Sequence, residues 1–185
     1  MRTLIVFLLS FPIYLQAQEP SPTVNSDSSL QAELTLVQEE VFSSEAVIQF
    51  FHDYIATYNR YLADSNDLSA MESAAQHFNM PVMQFPTKSG PTVTLEHTKM
   101  VDNLTSFTHA IKNTGVTSLR WEQLSVVPLR DNMALANNIV NALDVNGKIL
   151  RRLTTLYIVV NTDNGWKIAA ITSYPSDNLF KIEQL

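Results

Sequence analysis

Apolar and polar positions alternate with a period of two along most of the stretch from Val116 to Tyr174. In 133–145 one set holds Met133, Leu135, Asn137, Ile139, Asn141, Leu143 and Val145; the other holds Ala134, Ala136, Asn138, Val140, Ala142 and Asp144. The alternation returns from Ile149 to Val160 and from Trp166 to Tyr174. Successive side chains of a strand point to opposite faces, so this period predicts strands. Arg130-Asp131-Asn132, Asn146-Gly147 and Asp163-Asn164-Gly165 separate the runs. Asn-Gly is a strong hairpin signal, because a type I′ turn needs positive φ at both central residues. In 118–127 the period slips at Gln123-Leu124, which predicts a bulge and a bend. The segment therefore reads as four long antiparallel strands in a bent sheet. Neither set is plainly polar, so both faces are expected to be covered, one by helices and the other by a second subunit.

Upstream the period changes to that of a helix. Ser43-Ser44-Glu45 opens the first, with serine as cap and Glu45 at the positive end. Val47, Ile48, Phe51, Tyr54, Ile55, Tyr58 and Leu62 form its apolar stripe. Asp67 is placed to cap a second helix carrying Leu68, Met71, Ala75 and Phe78, with Pro81 as its stop and Met83 to Phe85 as a short strand. Another short strand is expected at 92–95. Thr98 opens a third helix with Val101, Leu104, Thr108 and Ile111 inward, and Gly115 ends it. The fold class is thus α+β: three N-terminal helices packed on a strongly bent antiparallel sheet.

The first seventeen residues change the picture of the compartment. Arg2, an apolar run over 4–15 and Leu15-Gln16-Ala17 have the form of a secretory signal peptide, too short to span a membrane. Export to the periplasm or the medium is expected, with no stable membrane anchor after cleavage. Residues 18–42 read as a flexible leader and arm, 43–175 as one domain and 176–185 as a polar tail. The chain has no cysteine, which excludes disulfides and thiol chemistry. Its net charge of −6 argues against nucleic acid as a partner.

Three helices followed by a bent meander resemble the nuclear transport factor 2-like superfamily, the cone fold of SnoaL-like proteins and ketosteroid isomerases. The resemblance is carried by Tyr54-Ile55-Ala56-Thr57-Tyr58-Asn59, by 67–78 leading into a strand, and by the closing hairpin Asp163-Asn164-Gly165-Trp166-Lys167-Ile168. It implies a pocket between the first helices and the concave sheet face, and frequent dimerisation through the outer face. Tyr54 matches the tyrosine that donates to a developing oxyanion in the isomerases. Their general base would fall at Gln84-Phe85-Pro86 and their acidic donor near Thr155-Leu156, and neither place holds a carboxylate. That isomerisation is therefore rejected.

The remaining candidate chemistry is thin. Asn137, Asn138 and Asn141 are unusual inside a strand and could supply polar groups to an apolar pocket, as easily as an exposed or dimer-facing strip. Arg151 and Arg152 fall on opposite faces; one could anchor an anion, or each could be solvated or paired with Asp144 or Glu122. His52, His77, His97 and His109 share no ligand spacing, so no metal and no cofactor are expected. Asn103-Leu104-Thr105 fits a glycosylation triplet that chance explains. The pocket candidates are Tyr54, Tyr58, Phe78, Met83, Trp121, Asn137 and Asn141. The leading expectation is an exported protein that binds or carries a small apolar molecule. A homodimeric interaction module, or a cyclase, dehydratase or isomerase using Tyr54, His77 or Asp144, are the alternatives.

Overall fold

Ser43 closes the N-terminus of the first helix: its hydroxyl accepts from the Ala46 amide at 3.3 Å. That helix, α1, runs Ser44–Ala63 in a computed structural model that describes residues 42–86 and 89–175. The proposed signal peptide, almost all of the leader and the polar tail lie outside the described residues. Helix α2 spans Leu68–Ala75 and α3 spans His97–Lys112. The strands are β1 Phe78–Phe85, β2 Thr92–Thr94, β3 Ser118–Arg130, β4 Met133–Leu143, β5 Ile149–Thr162 and β6 Gly165–Ser173.

The stripe on α1 is buried as its spacing requires, except at Ile48, which is half-buried. Val47 and Phe51 are fully buried, and Tyr54, Ile55, Tyr58 and Leu62 nearly so. Full burial of one such apolar side chain contributes ~1.5–3 kcal/mol, so this face anchors the helix. In α3 the inward positions are Met100, Leu104, Thr108 and Ile111; Val101 is only half-buried. An ion pair of 2.8 Å between Arg60 and Asp67 joins the end of α1 to the start of α2.

All six strands form one curved, unclosed sheet in the order β2-β1-β6-β5-β4-β3. β3 to β6 make an antiparallel meander. The sheet as a whole is mixed, because β1 runs parallel to β6. The expected bulge is present: the β3–β4 register shifts between Trp121 and Gln123. Register also fixes the faces. Ala136 pairs with Tyr157, Asn138 with Thr155, Val140 with Leu153 and Ala142 with Arg151. Phe51 of α1 meets the Tyr157 ring at 5.0 Å, so this set is the concave face covered by the helices.

Three local expectations are corrected. Phe78 is not on a helix: α2 ends at Ala75 and Phe78 begins β1, where it is buried with Val82 in a period of two. Pro81, expected as a helix stop, sits inside that strand, where the β1–β6 register breaks between Phe78 and Met83 and no ladder donor is needed. The Asn146-Gly147 turn is not type I′, since Asn146 does not have positive φ while Gly147 has φ 76°. The Gly147 amide donates to the Asp144 carbonyl at 3.0 Å. Asp144 Oδ1 also accepts from the Asn146 and Lys148 amides, each at 2.9 Å. The aspartate thus builds the turn first and leaves glycine to take the left-handed residue after it.

Candidate functional site

A partly open cavity of about 880 Å³ lies between α1, α3 and the concave face. Helical spacing puts Tyr54, Ile55 and Tyr58 on its helix wall, and α3 adds Phe107. The sheet wall is set by alternation: Leu119 and Trp121 from β3, Val140 from β4, and Arg151, Leu153, Thr155 and Tyr157 from β5. Ser173, Tyr174 and Pro175 complete the rim with Arg152 and Thr154.

The polar centre is a group of phenols. The Tyr54 and Tyr58 hydroxyls share a hydrogen bond of 2.6 Å, and their rings meet edge to face at 5.0 Å. Tyr157 stands beside them, its ring 6.2 Å from that of Tyr54. Burial is the main force holding all three neutral: it raises Tyr54 and Tyr58 well above the ordinary phenol value, with Tyr58 and Tyr157 adding to it at Tyr54, and Tyr157 adding to it at Tyr58 while the hydrogen bond with Tyr54 works against it there. The Tyr157 phenol is pushed up to about 12, again chiefly by burial. These hydroxyls can donate hydrogen bonds but do not ionise near neutrality.

Tyr54, Tyr58 and Trp121 therefore meet at the cavity. The other sequence candidates lie elsewhere. Phe78 is core packing, with its ring 5.8 Å from that of Tyr54. Met83 is 48% exposed and points away from the core. Asn137 and Asn141 occupy the sheet face opposite the helices, where the Tyr174 hydroxyl donates to Asn137 Oδ1 at 2.6 Å. It is Asn138, between them, that shares the concave face, and both of its side-chain polar atoms are buried without a partner among the described residues. Sequence reasoning missed Tyr157, Leu119, Leu153 and Thr155. The signal was present in the alternation, but the choice of face needed a contact to α1.

Two residues considered for catalysis stand outside the cavity. The Asp144 carboxylate is engaged by the turn amides. His77 lines a separate shallow depression with Phe50, Trp166 and Lys167. Its Nδ1 meets the Ser73 carbonyl at 3.0 Å, and burial draws its pKa below the usual imidazole value. Among the described residues no cluster of three or more His, Cys, Asp or Glu could hold a metal ion. No described helix is long and apolar enough to cross a membrane.

The sequence profile described as NTF2-like protein (DUF6841) matches residues 43–176. The chain belongs to this NTF2-like family. No curated protein matches the sequence. Among solved structures, an NTF-2 like protein of unknown function from Shewanella oneidensis is similar over 70% of this chain and 96% of its own, at 13% identity and TM-score 0.50. A protein of unknown function with a cystatin-like fold from Nostoc punctiforme is similar over 74% and 96%, at 10% identity and TM-score 0.51. A ketosteroid isomerase-like protein from Erwinia carotovora atroseptica covers 71% and 96%, at 14% identity and TM-score 0.48. The likeness to the Shewanella and Nostoc proteins is one of fold alone, and a fold does not fix what a chain does.

Proposed function

We propose that this NTF2-like chain is an exported protein that holds a small, mostly apolar molecule in its cone, without transforming it. One observation carries the reading: a cavity of about 880 Å³ walled by Leu119, Trp121, Val140, Leu153 and the rings of Tyr54, Tyr58 and Tyr157. Ligand sites have this character, with apolar walls and a few convergent polar groups. The polar groups deep in the cavity are neutral hydroxyls, Arg151 and Arg152 stand at its rim, and no Asp, Glu or His lines it among the described residues. Such a lining can orient a molecule but offers no group poised to take a proton near neutral pH. Export rests on the charged and apolar pattern of residues 1–17.

The test is native mass spectrometry of protein purified from its own host, beside a thermal-shift screen with apolar small molecules. A bound mass released on denaturation is expected. The Val140→Phe variant, which fills the cavity, should lose that mass while keeping its circular dichroism spectrum. Wild-type protein that carries nothing and responds to no compound would sink the proposal.

A further inference from the structure

The charge of the cavity rim narrows the ligand class, on the reading that the cavity binds a small molecule. Among the described lining residues two are cationic, Arg151 and Arg152, and none is acidic. This is notable in a chain of net charge −6. Arg152 is already matched: its Nε donates to Glu122 Oε2 at 2.8 Å. Arg151 forms no ion pair among the described residues and sits opposite Ala142, on the concave face. The guanidinium is permanently charged, and its fork of donors suits a carboxylate held by two hydrogen bonds. Behind it the wall is apolar and aromatic, with rings set edge to face, a surface on which flat rings pack well.

We infer that the cavity takes an organic carboxylate, its ring system lying among Tyr54, Trp121, Leu153 and Tyr157 and its carboxylate reaching Arg151 at the rim. The buried phenols stay neutral, so nothing inside the cone opposes the anion. The carboxylate remains at the wet rim, and only the apolar body is desolvated.

Isothermal titration of the purified protein with 2-naphthoate and with the neutral, nearly isosteric 2-naphthamide tests this. Naphthoate should bind about tenfold more tightly than the amide at low salt, a preference that shrinks toward ~0.15 M salt as the exposed charge is screened. Arg151→Gln should erase the preference and leave the affinity for the amide unchanged; Arg130→Gln, outside the cavity, should keep both. Equal affinities for the two probes would overturn the inference while leaving small-molecule binding intact. A preference that survives Arg151→Gln would overturn the assignment of Arg151. If neither probe binds, the inference fails, and the host-purified protein still decides separately whether the cone carries another molecule.

Discussion

Asn138 concentrates what single residues contribute to this cone. It is 1% exposed, and neither its amide nor its carbonyl finds a partner among the described residues. A buried polar group left unpaired costs about 1–3 kcal/mol. Asn138→Leu keeps the size and removes the unpaired atoms, so it should stabilise the protein by about 1 kcal/mol, read as a higher urea midpoint at unchanged slope. A lower midpoint would show that the amide is hydrogen-bonded in solution and would refute this account. The same strand shows where sequence reading of the site stopped. Alternation separated Asn137 and Asn141 from Asn138, but each set is a mixture of apolar residues and asparagine. Composition could not tell which one faces the helices; the Phe51–Tyr157 contact does.

Among the elements, α1 and β3 are joined by a side chain that imitates a strand. Asn59 Nδ2 donates to the Leu119 carbonyl at 3.0 Å, and Asn59 Oδ1 accepts from the Leu119 amide at 2.7 Å. β3 is an edge strand, and an open edge invites pairing with other chains. The asparagine satisfies one residue of that edge and ties the helix across it. Asn59→Ala should cost about 1–3 kcal/mol and speed hydrogen exchange at the Leu119 amide; exchange unchanged at that amide would show the contact to be idle. Long elements such as α1 and the four meander strands were legible from sequence, because their period holds over many residues and slips only at the bulge of β3. The α2–β1 boundary was not. Phe78 lies three residues after Ala75, which fits a helical stripe, and it also begins the alternation Phe78, Met80, Val82. Only the pairing of Phe78 with Ile168 decides between the two periods.

At the scale of the whole molecule, the phenol cluster makes stability depend on alkaline pH. Tyr54, Tyr58 and Tyr157 have raised values in the folded state. The unfolded chain releases these protons near the ordinary value of about 10, while the folded chain keeps them. Above that pH the folded state binds more protons, so stability falls as pH rises. The urea midpoint should be level from pH ~7 to ~9.5 and decline beyond pH ~10. These three phenols should ionise, by absorbance near 295 nm, only as the protein unfolds; ionisation at ordinary values in still-folded protein would contradict the burial described here. The family, the cone and the bulge that bends it followed from the order and spacing of elements. The charge of the rim did not, because Arg151 and Arg152 look equivalent until Glu122 is seen to occupy one of them. The parallel pairing of β1 with β6 also sets a sequence of events during synthesis. Lys167 reaches the Gln76 carbonyl across 91 positions of chain. On a growing polypeptide the seam beside Phe78 and Val82 therefore stays uncovered until the final hairpin leaves the ribosome. No shorter nascent chain encloses the cavity, because Ser173 and Tyr174, which complete its rim, are among the last residues of this domain to be made.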